Sequence, residues 1–379
     1  MIPLNYKLTG IKEILSGNHL ISNLQDLIQL REALVVCDQN TFRFLPAWIK
    51  GEKNFKLIVL PKNVRPYEAL VRKLAIHVRN CELIVALGSG TITDICKYLA
   101  NLTTKELVLF PSAPSVNAYT SPTASIISLE KTRKVSVKAK MPTCIYLDYT
   151  ILKSVPPRMI LSGLYDLLCS RTAKVDYFIA SITLKHSYIG KIFEELLPYE
   201  EILLKHSKLL IRGDTTLVSI LMHALNLSGL GMWLNGDSRS ASQGEHMLAH
   251  LLEKASGKYF LHGEMVAAGM LATSLLQERF FKKEQKIEFN TQVLNKYVML
   301  KGLYPSKIDS FAESFQKLRM LSPVLSSMVS EHTQLRRHIG STAITLPKVH
   351  NLLREAVFLK RNFTCLDIAY LAGYHTITL

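Results

Sequence analysis

Five short apolar runs mark the first 150 residues. Ala33-Leu34-Val35-Val36-Cys37, Phe55-Lys56-Leu57-Ile58-Val59-Leu60, Glu82-Leu83-Ile84-Val85-Ala86-Leu87 and Glu106-Leu107-Val108-Leu109-Phe110 each predict a buried strand, and Cys144-Ile145-Tyr146-Leu147 predicts one more. Between the first two runs, and again from Tyr67 to Val78, apolar residues recur at helical spacing. Near-continuous apolar strands separated by helices predict a parallel sheet with helices on both faces. At Ser154-Val155-Pro156-Pro157 the pattern changes, because the prolines remove amide donors and disfavour helix just before them. Beyond them the periodicity is helical, over Leu161 to Ile179, Ile189 to Leu197, Thr215 to Leu234, Ser242 to Leu252, Met265 to Arg279 and Ile287 to Tyr297. An α/β domain over residues 1–155 and an all-α domain over 156–379 are expected, with no internal repeat.

The third strand runs into Gly88-Ser89-Gly90-Thr91-Ile92-Thr93-Asp94 and then a helix. Strand, glycine turn and helix present backbone amides and a helix N-terminus to a phosphate. Two glycines permit positive φ and close backbone approach, and Ser89 and Thr91 offer hydroxyls. The loop is neither GxGxxG nor a Walker loop, and a capped turn with nothing bound remains open. Asp38 closes the first strand. A carboxylate there accepts from both ribose hydroxyls of an adenosine and repels a 2′-phosphate, favouring NAD over NADP; it equally caps the next helix. After the fourth strand, Pro111-Ser112-Ala113-Pro114-Ser115-Val116-Asn117-Ala118-Tyr119-Thr120-Ser121 forms a rigid, hydroxyl-rich loop suited to a polar ligand, or a plain surface loop.

The 379 residues suit about two domains at ~100–200 residues each, and 48% hydrophobic with 20% charged residues is a globular composition. The six cysteines are scattered without a CxxC pair, as expected of buried thiols in a reducing compartment. A net charge of +16 favours acidic partners, phosphorylated small molecules among them. The charge is dispersed: the densest stretch, with Lys131, Arg133, Lys134, Lys138 and Lys140, alternates with Val135, Val137 and Ala139 like the solvent face of a strand. No RNA-binding or helix-turn-helix signature accompanies it, so nucleic acid is not the expected partner. No run approaches the ~18–20 uninterrupted apolar residues of a membrane span, and the N-terminus lacks the ordered regions of a signal peptide. A cytoplasmic protein is expected.

The helical half carries metal-ligating residue types. Asp166 lies in the otherwise apolar stretch Leu164-Tyr165-Asp166-Leu167-Leu168, where a carboxylate is costly unless paired or metal-bound. His246 and His250 stand at i, i+4, and His262-Gly263-Glu264 opens another helix. A zincin helix needs Glu directly after its first His, and here that residue is Met247. The better triad is Asp166, His246 and His262, one from each of three helices; two imidazoles and a carboxylate suit Zn²⁺ or Fe²⁺ with a position open for substrate. Hydrogen-bonded core histidines are the alternative.

In chain order these motifs are a GSGTxTD loop, a Pro-Ser-x-x-Ser loop, a Gly-x-x-Asp helix, an EHxxxH helix and a His-Gly-Glu turn. The set resembles the glycerol-1-phosphate dehydrogenase branch of the iron-containing alcohol dehydrogenase and dehydroquinate synthase superfamily, over nearly the whole chain. The resemblance implies a dehydroquinate synthase-like fold, a Rossmann-like parallel sheet followed by an all-α domain. It also implies reduction of dihydroxyacetone phosphate to sn-glycerol 1-phosphate by NAD or NADP chemistry with a metal, usually Zn²⁺, sometimes Ni²⁺ or Fe²⁺. By the same resemblance Gly88, Ser89, Gly90, Thr91 and Asp94 would hold the pyrophosphate region and Asp38 the adenine ribose. Ser112, Ser115 and Ser121 would line the nicotinamide side, Asp166, His246 and His262 would bind the metal, and His250 would contact substrate. A homo-oligomer is the expected assembly. Gly-Leu-Tyr-Asp on the metal helix favours this branch, since dehydroquinate synthases use Glu as the carboxylate ligand. One position departs: Asn117 stands where the family usually has an acidic substrate contact, and Asn carries no charge and relays no proton. A glycerol or polyol dehydrogenase, a synthase-like cyclase and an inactive relative are the competing readings.

Overall fold

The structure is a computed structural model and describes residues 6–29, 31–51, 55–130, 133–255, 259–282, 291–301, 313–314, 316–318, 320–341, 352–359 and 362–374. Lys131 of the basic stretch and residues 287–290 of the last expected helix lie outside them. The chain divides into two compact units, residues 1–164 with 198–237, and 165–197 with 238–379.

The first unit is built on a six-stranded parallel sheet: β1 (Glu13–Gly17), β2 (Ala33–Asp38), β3 (Phe55–Leu60), β4 (Leu83–Gly88), β5 (Glu106–Pro111) and, after the antiparallel pair β6 (Thr123–Ile127) and β7 (Lys134–Lys138), β8 (Cys144–Asp148). The strand order is β1-β8-β5-β4-β2-β3. Strands β2 and β4 are buried along their whole length, which is why they read as unbroken apolar runs. Val35, Cys37, Val85, Leu87, Val108 and Phe110 share one core, and Phe110 stacks on Tyr146 with centroids 4.7 Å apart. Strand β1 was not among the expected strands: it lies at the sheet edge, half-exposed, and its Glu-Ile-Leu-Ser-Gly lacks an apolar run. The expected helix between β2 and β3 is replaced by two 3₁₀ turns, Phe42–Phe44 and Ala47–Gly51, with Pro46 between them. Of the basic stretch, Lys134 and Lys138 lie in β7, where Lys134, Val135 and Val137 are half-buried and Ser136 and Lys138 exposed.

Helices of this unit include α1 (Leu24–Gln29), α2 (Glu68–Leu74) and α3 (Gly90–Thr103), then α4 (Tyr149–Leu152) and the first part of α5 (Pro157–Leu168). The chain then leaves for α6 (Ser170–Thr183) and the start of α7 (Lys191–Lys205), and returns for α8 (Ser207–Ile211) and α9 (Thr215–Asn235). A single cut at residue 155 is therefore corrected, since α9 belongs with the sheet-bearing unit. Its periodicity is helical, but its partners are early in sequence: Thr120 Oγ1 donates to Asn226 O at 2.7 Å and Ser219 Oγ lies 2.8 Å from Tyr149 Oη. Helix α9 is long and apolar enough to cross a membrane by length and composition; it is mostly buried inside the unit, as a core helix would be.

The second unit is helical: α6, α10 (Gly244–Ala255), α11 (His262–Phe281), α12 (Thr291–Leu300), α13 (Ser322–Met328), α14 (His332–Gly340), α15 (Leu353–Val357) and α16 (Cys365–Leu371). The single helix expected over Leu161 to Ile179 is broken at Cys169 into α5 and α6. Its thiol bonds back to Asp166 O at 3.0 Å and to Ala241 O at 3.3 Å. All six cysteines are free.

A candidate nucleotide turn and a candidate metal centre

In the first unit, β2, β4 and β5 end side by side: Cys37 pairs with Leu87, and Gly88 with Pro111. The chain passes from β2 to β3 on one side and then to β4 on the other, so the strand order reverses between β2 and β4. Ligands of open α/β sheets dock outside such a reversal, at the carboxyl ends of the strands. There Gly88 closes β4, Ser89 is the extended N-cap residue, and Gly90 opens the 14-residue α3. The Ser89 side chain caps none of the helix's amides, and a helix N-terminus of this length favours an anion.

The positive φ that glycine permits is not used here: among the described residues, glycines with positive φ are Gly10, Gly213, Gly236 and Gly373, not Gly88 or Gly90. These two are small for another reason. A Cβ on Gly88 would lie 2.4 Å from Ile92 Cβ, and one on Gly90 would lie 2.7 Å from Val116 Cγ2. Thr91 lies in the first turn of α3 and Asp94 in the next, both half-buried. Asp38 is buried, and its Oδ1 accepts from Asn40 N at 2.8 Å, Thr41 N at 2.9 Å and Thr41 Oγ1 at 3.1 Å. That oxygen holds the turn after β2, so only Oδ2 remains for a ribose.

The hydroxyl loop folds on itself through Tyr119, whose Oη donates to Ala113 O at 2.5 Å. Ser112 N donates to Gly88 O at 3.0 Å, and Ser115 O accepts from Ser162 Oγ at 3.4 Å. Asn117 is half-buried, and its Nδ2 donates to Ser228 Oγ of α9 at 3.3 Å. Gly229 lets α9 approach, since a Cβ there would sit 2.3 Å from Thr120 Oγ1 and 2.7 Å from Asn117 O. Ser121 differs from Ser112 and Ser115: its Oγ donates to Thr123 O at 2.7 Å and accepts from Lys97 Nζ at 3.1 Å.

In the second unit, Asp166, His246 and His262 converge. Asp166 Oδ1 lies 3.5 Å from Nε2 of His246 and 3.5 Å from Nε2 of His262. Those gaps exceed a good hydrogen bond. They match the roughly 3.3–3.5 Å between two donors that each sit about 2.0–2.1 Å from one tetrahedral Zn²⁺. Asp166 and His246 are buried and His262 is half-buried, which leaves one open side. The local chain explains the aim of each ring. His246 Nδ1 is held 3.0 Å from Glu245 Oε1, so Nε2 faces the gap. Glu264 accepts from Leu261 N at 2.7 Å and fixes the start of α11, from whose first residue His262 projects. The donor set therefore fits a metal. His250 stands one turn beyond His246, with ring centroids 6.5 Å from His246 and 6.4 Å from His262, beside the three donors. Burial alone pushes the His246 imidazole down, but the carboxylates of Asp166 and Glu245 outweigh it and hold it above its ordinary range.

Behind the triad lies a buried polar layer that motif spacing did not reveal. Glu245 is fully buried and accepts from Gln243 N at 2.6 Å and Thr172 Oγ1 at 3.0 Å as well as facing His246. A carboxylate holding the far nitrogen of a ligand histidine orients it and raises its basicity. Its only sequence signal was its place directly before His246. Asp176 is also fully buried and accepts from Gly244 N, Cys365 N and Gln277 Nε2 at 3.2, 2.9 and 2.9 Å. Burial, then the charge of Glu245, pushes its carboxyl from 3.8 to about 7. A raised carboxyl favours the folded state while protonated, so this contribution is fully present below pH 3.8 and is lost as pH rises toward 7. The urea midpoint should carry a component that falls across that window, and Asp176→Asn should remove it; an unchanged pH slope in the variant would refute the assignment.

Parallel sheet, carboxyl-edge glycine turn and His/His/Asp donor set define the class of metal-containing, nucleotide-binding alcohol dehydrogenases. Accordingly, the sequence profile described as iron-containing alcohol dehydrogenase matches residues 16–156. A glycerol-1-phosphate dehydrogenase [NAD(P)+] of Metallosphaera sedula is 32% identical over 270 residues, covering 69% of this chain and 76% of that protein. The enzyme of the same name from Sulfurisphaera tokodaii is 37% identical over 204 residues, 54% of this chain and 57% of that one. The match thus spans a little over half of the latter relative's length. Sulfoacetaldehyde reductase from Bifidobacterium kashiwanohense, solved in complex with NAD+, shares the fold at a TM-score of 0.62 and 13% identity, covering 97% of both chains. The chain belongs to the glycerol-1-phosphate dehydrogenase family.

Proposed function

We propose that this protein interconverts dihydroxyacetone phosphate and sn-glycerol 1-phosphate with NAD(P)H as hydride donor and a bound metal, Zn²⁺ ahead of Ni²⁺ or Fe²⁺. The observation that carries the reading is Asp166 Oδ1 standing 3.5 Å from Nε2 of both His246 and His262. The relatives' names supply the substrate. Asp166, His246 and His262 would hold the metal, which supplies Lewis-acid polarisation of the ketone oxygen when bound. The nicotinamide supplies the hydride chemistry. The glycine turn before α3 receives the pyrophosphate, Oδ2 of Asp38 the adenosine ribose, and Ser112 and Ser115 the nicotinamide side. Glu245 keeps the Nε2 lone pair of His246 directed at the metal. His250 contacts the substrate and hands the product hydroxyl its proton, so that ketone, NAD(P)H and one proton give the alcohol and NAD(P)+.

Asn117 donates a hydrogen bond to substrate without charge. Asn117→Asp is expected to raise kcat/KM by about a hundredfold, the low end for a positioned proton-transfer group. A fall instead would make the neutral amide a specialised contact. The direct test is NADH and NADPH oxidation after separate loading with Zn²⁺, Ni²⁺ and Fe²⁺, with dihydroxyacetone beside its phosphate. Metal-dependent turnover of the phosphate ester alone is expected. Equal turnover of dihydroxyacetone would make the protein a polyol dehydrogenase, and silence with every metal while NADH still binds would overturn a reductase.

A further inference from the structure

Lys97 lies on α3 between Cys96 and Leu99, and its side chain is wholly shut off from solvent. A buried ammonium is expensive unless every donor is matched. Here Nζ reaches Ala118 O at 2.7 Å, Ser121 O at 2.6 Å, Thr123 O at 3.0 Å and Ser121 Oγ at 3.1 Å. Three protons are shared among four oxygens, all from residues 118–123, where the hydroxyl loop runs into β6. Burial pushes this ammonium down to about 8, and Asp94, one turn earlier, pulls it back up.

The loop also meets the turn at two earlier points. Ser112 N donates to Gly88 O, and Val116 fills the space that a Cβ on Gly90 would need. From Ser112 to Thr123 the loop therefore lies along the glycine turn and α3, touching it at Gly88, at Gly90 and at Lys97. Of the three, the last is the contact made by a charged group.

We propose that Lys97 is a positioning residue that couples the nucleotide turn to the hydroxyl loop, its buried ammonium pinning residues 118–123 to α3 so that occupation of the turn is transmitted to Ser112, Ser115 and Asn117. The inference rests on the nucleotide reading of the turn given above. It removes Ser121 from the nicotinamide lining and makes its hydroxyl part of the latch.

Hydrogen exchange of the full-length protein tests it without needing turnover. NADH is expected to slow exchange in both 88–95 and 112–123 of the wild type. In Lys97→Met, which keeps the aliphatic stem and loses the charge, 88–95 should still be protected, while protection of 112–123 should fall at least tenfold. Lys97→Arg should restore much of it, as a purely space-filling role would not require. Exchange of the buried strands β2 and β4 in the absence of NADH reports whether the first unit of each variant is folded. If Lys97→Met does not fold, Lys97→Arg and Ser121→Ala carry the test, with Ser121→Ala expected to weaken loop protection and leave 88–95 intact. Equal NADH protection of 112–123 in wild type and charge-loss or latch variants overturns the coupling alone. No protection of 88–95 in the wild type overturns the nucleotide reading and the coupling with it.

Discussion

His262→Ala should leave the protein unable to retain its metal: about one equivalent after dialysis in the wild type, less than about a tenth in the variant. His262 is the half-buried member of the triad and closes a set whose other donors are Asp166 and His246. Two donors do not make the three-ligand set of a catalytic zinc centre. Lewis-acid stabilisation is worth several kcal/mol, so turnover of dihydroxyacetone phosphate should fall about a thousandfold or more. The fold should survive, because His262 opens α11 without capping it, and Glu264 holds that helix start through Leu261. Metal analysis and circular dichroism on one sample separate these outcomes. Stoichiometric metal in a folded variant would break the triad.

Gly269→Ala should destabilise the second unit, although alanine is the better helix former. Gly269 faces α10, where a Cβ would lie 2.1 Å from Glu245 O and 2.8 Å from Glu245 C. Both are backbone atoms, so the helices must part. Helix propensity favours Ala by about 1 kcal/mol, whereas overpacking of this kind costs roughly 3 kcal/mol. The net loss of about 2 kcal/mol lowers Tm by roughly 4–8 °C. The sign decides the matter: a raised Tm would show that the close contact of α10 and α11 does not govern stability. Metal affinity should weaken as well, because Glu245 and His246 move with α10 while His262 stays on α11.

The central strands and the residues that converge at Asp166, His246 and His262 are legible in the sequence for one reason: each is a strong local signal. Strands β2 and β4 are buried on both faces, and a carboxylate among Leu164, Tyr165, Leu167 and Leu168 advertises a partner. What was illegible depends on distant contacts. The edge strand β1 is set by pairing with β8, over a hundred residues later. Gly88 and Gly90 could be seen to matter, but not that Ile92 and Val116, rather than positive φ, demand them. Glu245 and Lys97 look like ordinary helix charges until the fold buries them.

The division of the chain also bears on how it is made. The sheet-bearing unit takes its last segment from residues 198–237, after an excursion through 165–197. On the ribosome, the loop that carries Asn117 emerges long before Ser228 and Gly229 exist to hold it. At roughly 5–20 residues per second, the stretch from 165 to 237 takes on the order of 4–15 s to synthesise. Through that interval the hydroxyl loop lacks the α9 residues that hold it. A truncation near residue 155, natural or engineered, would make that transient condition permanent.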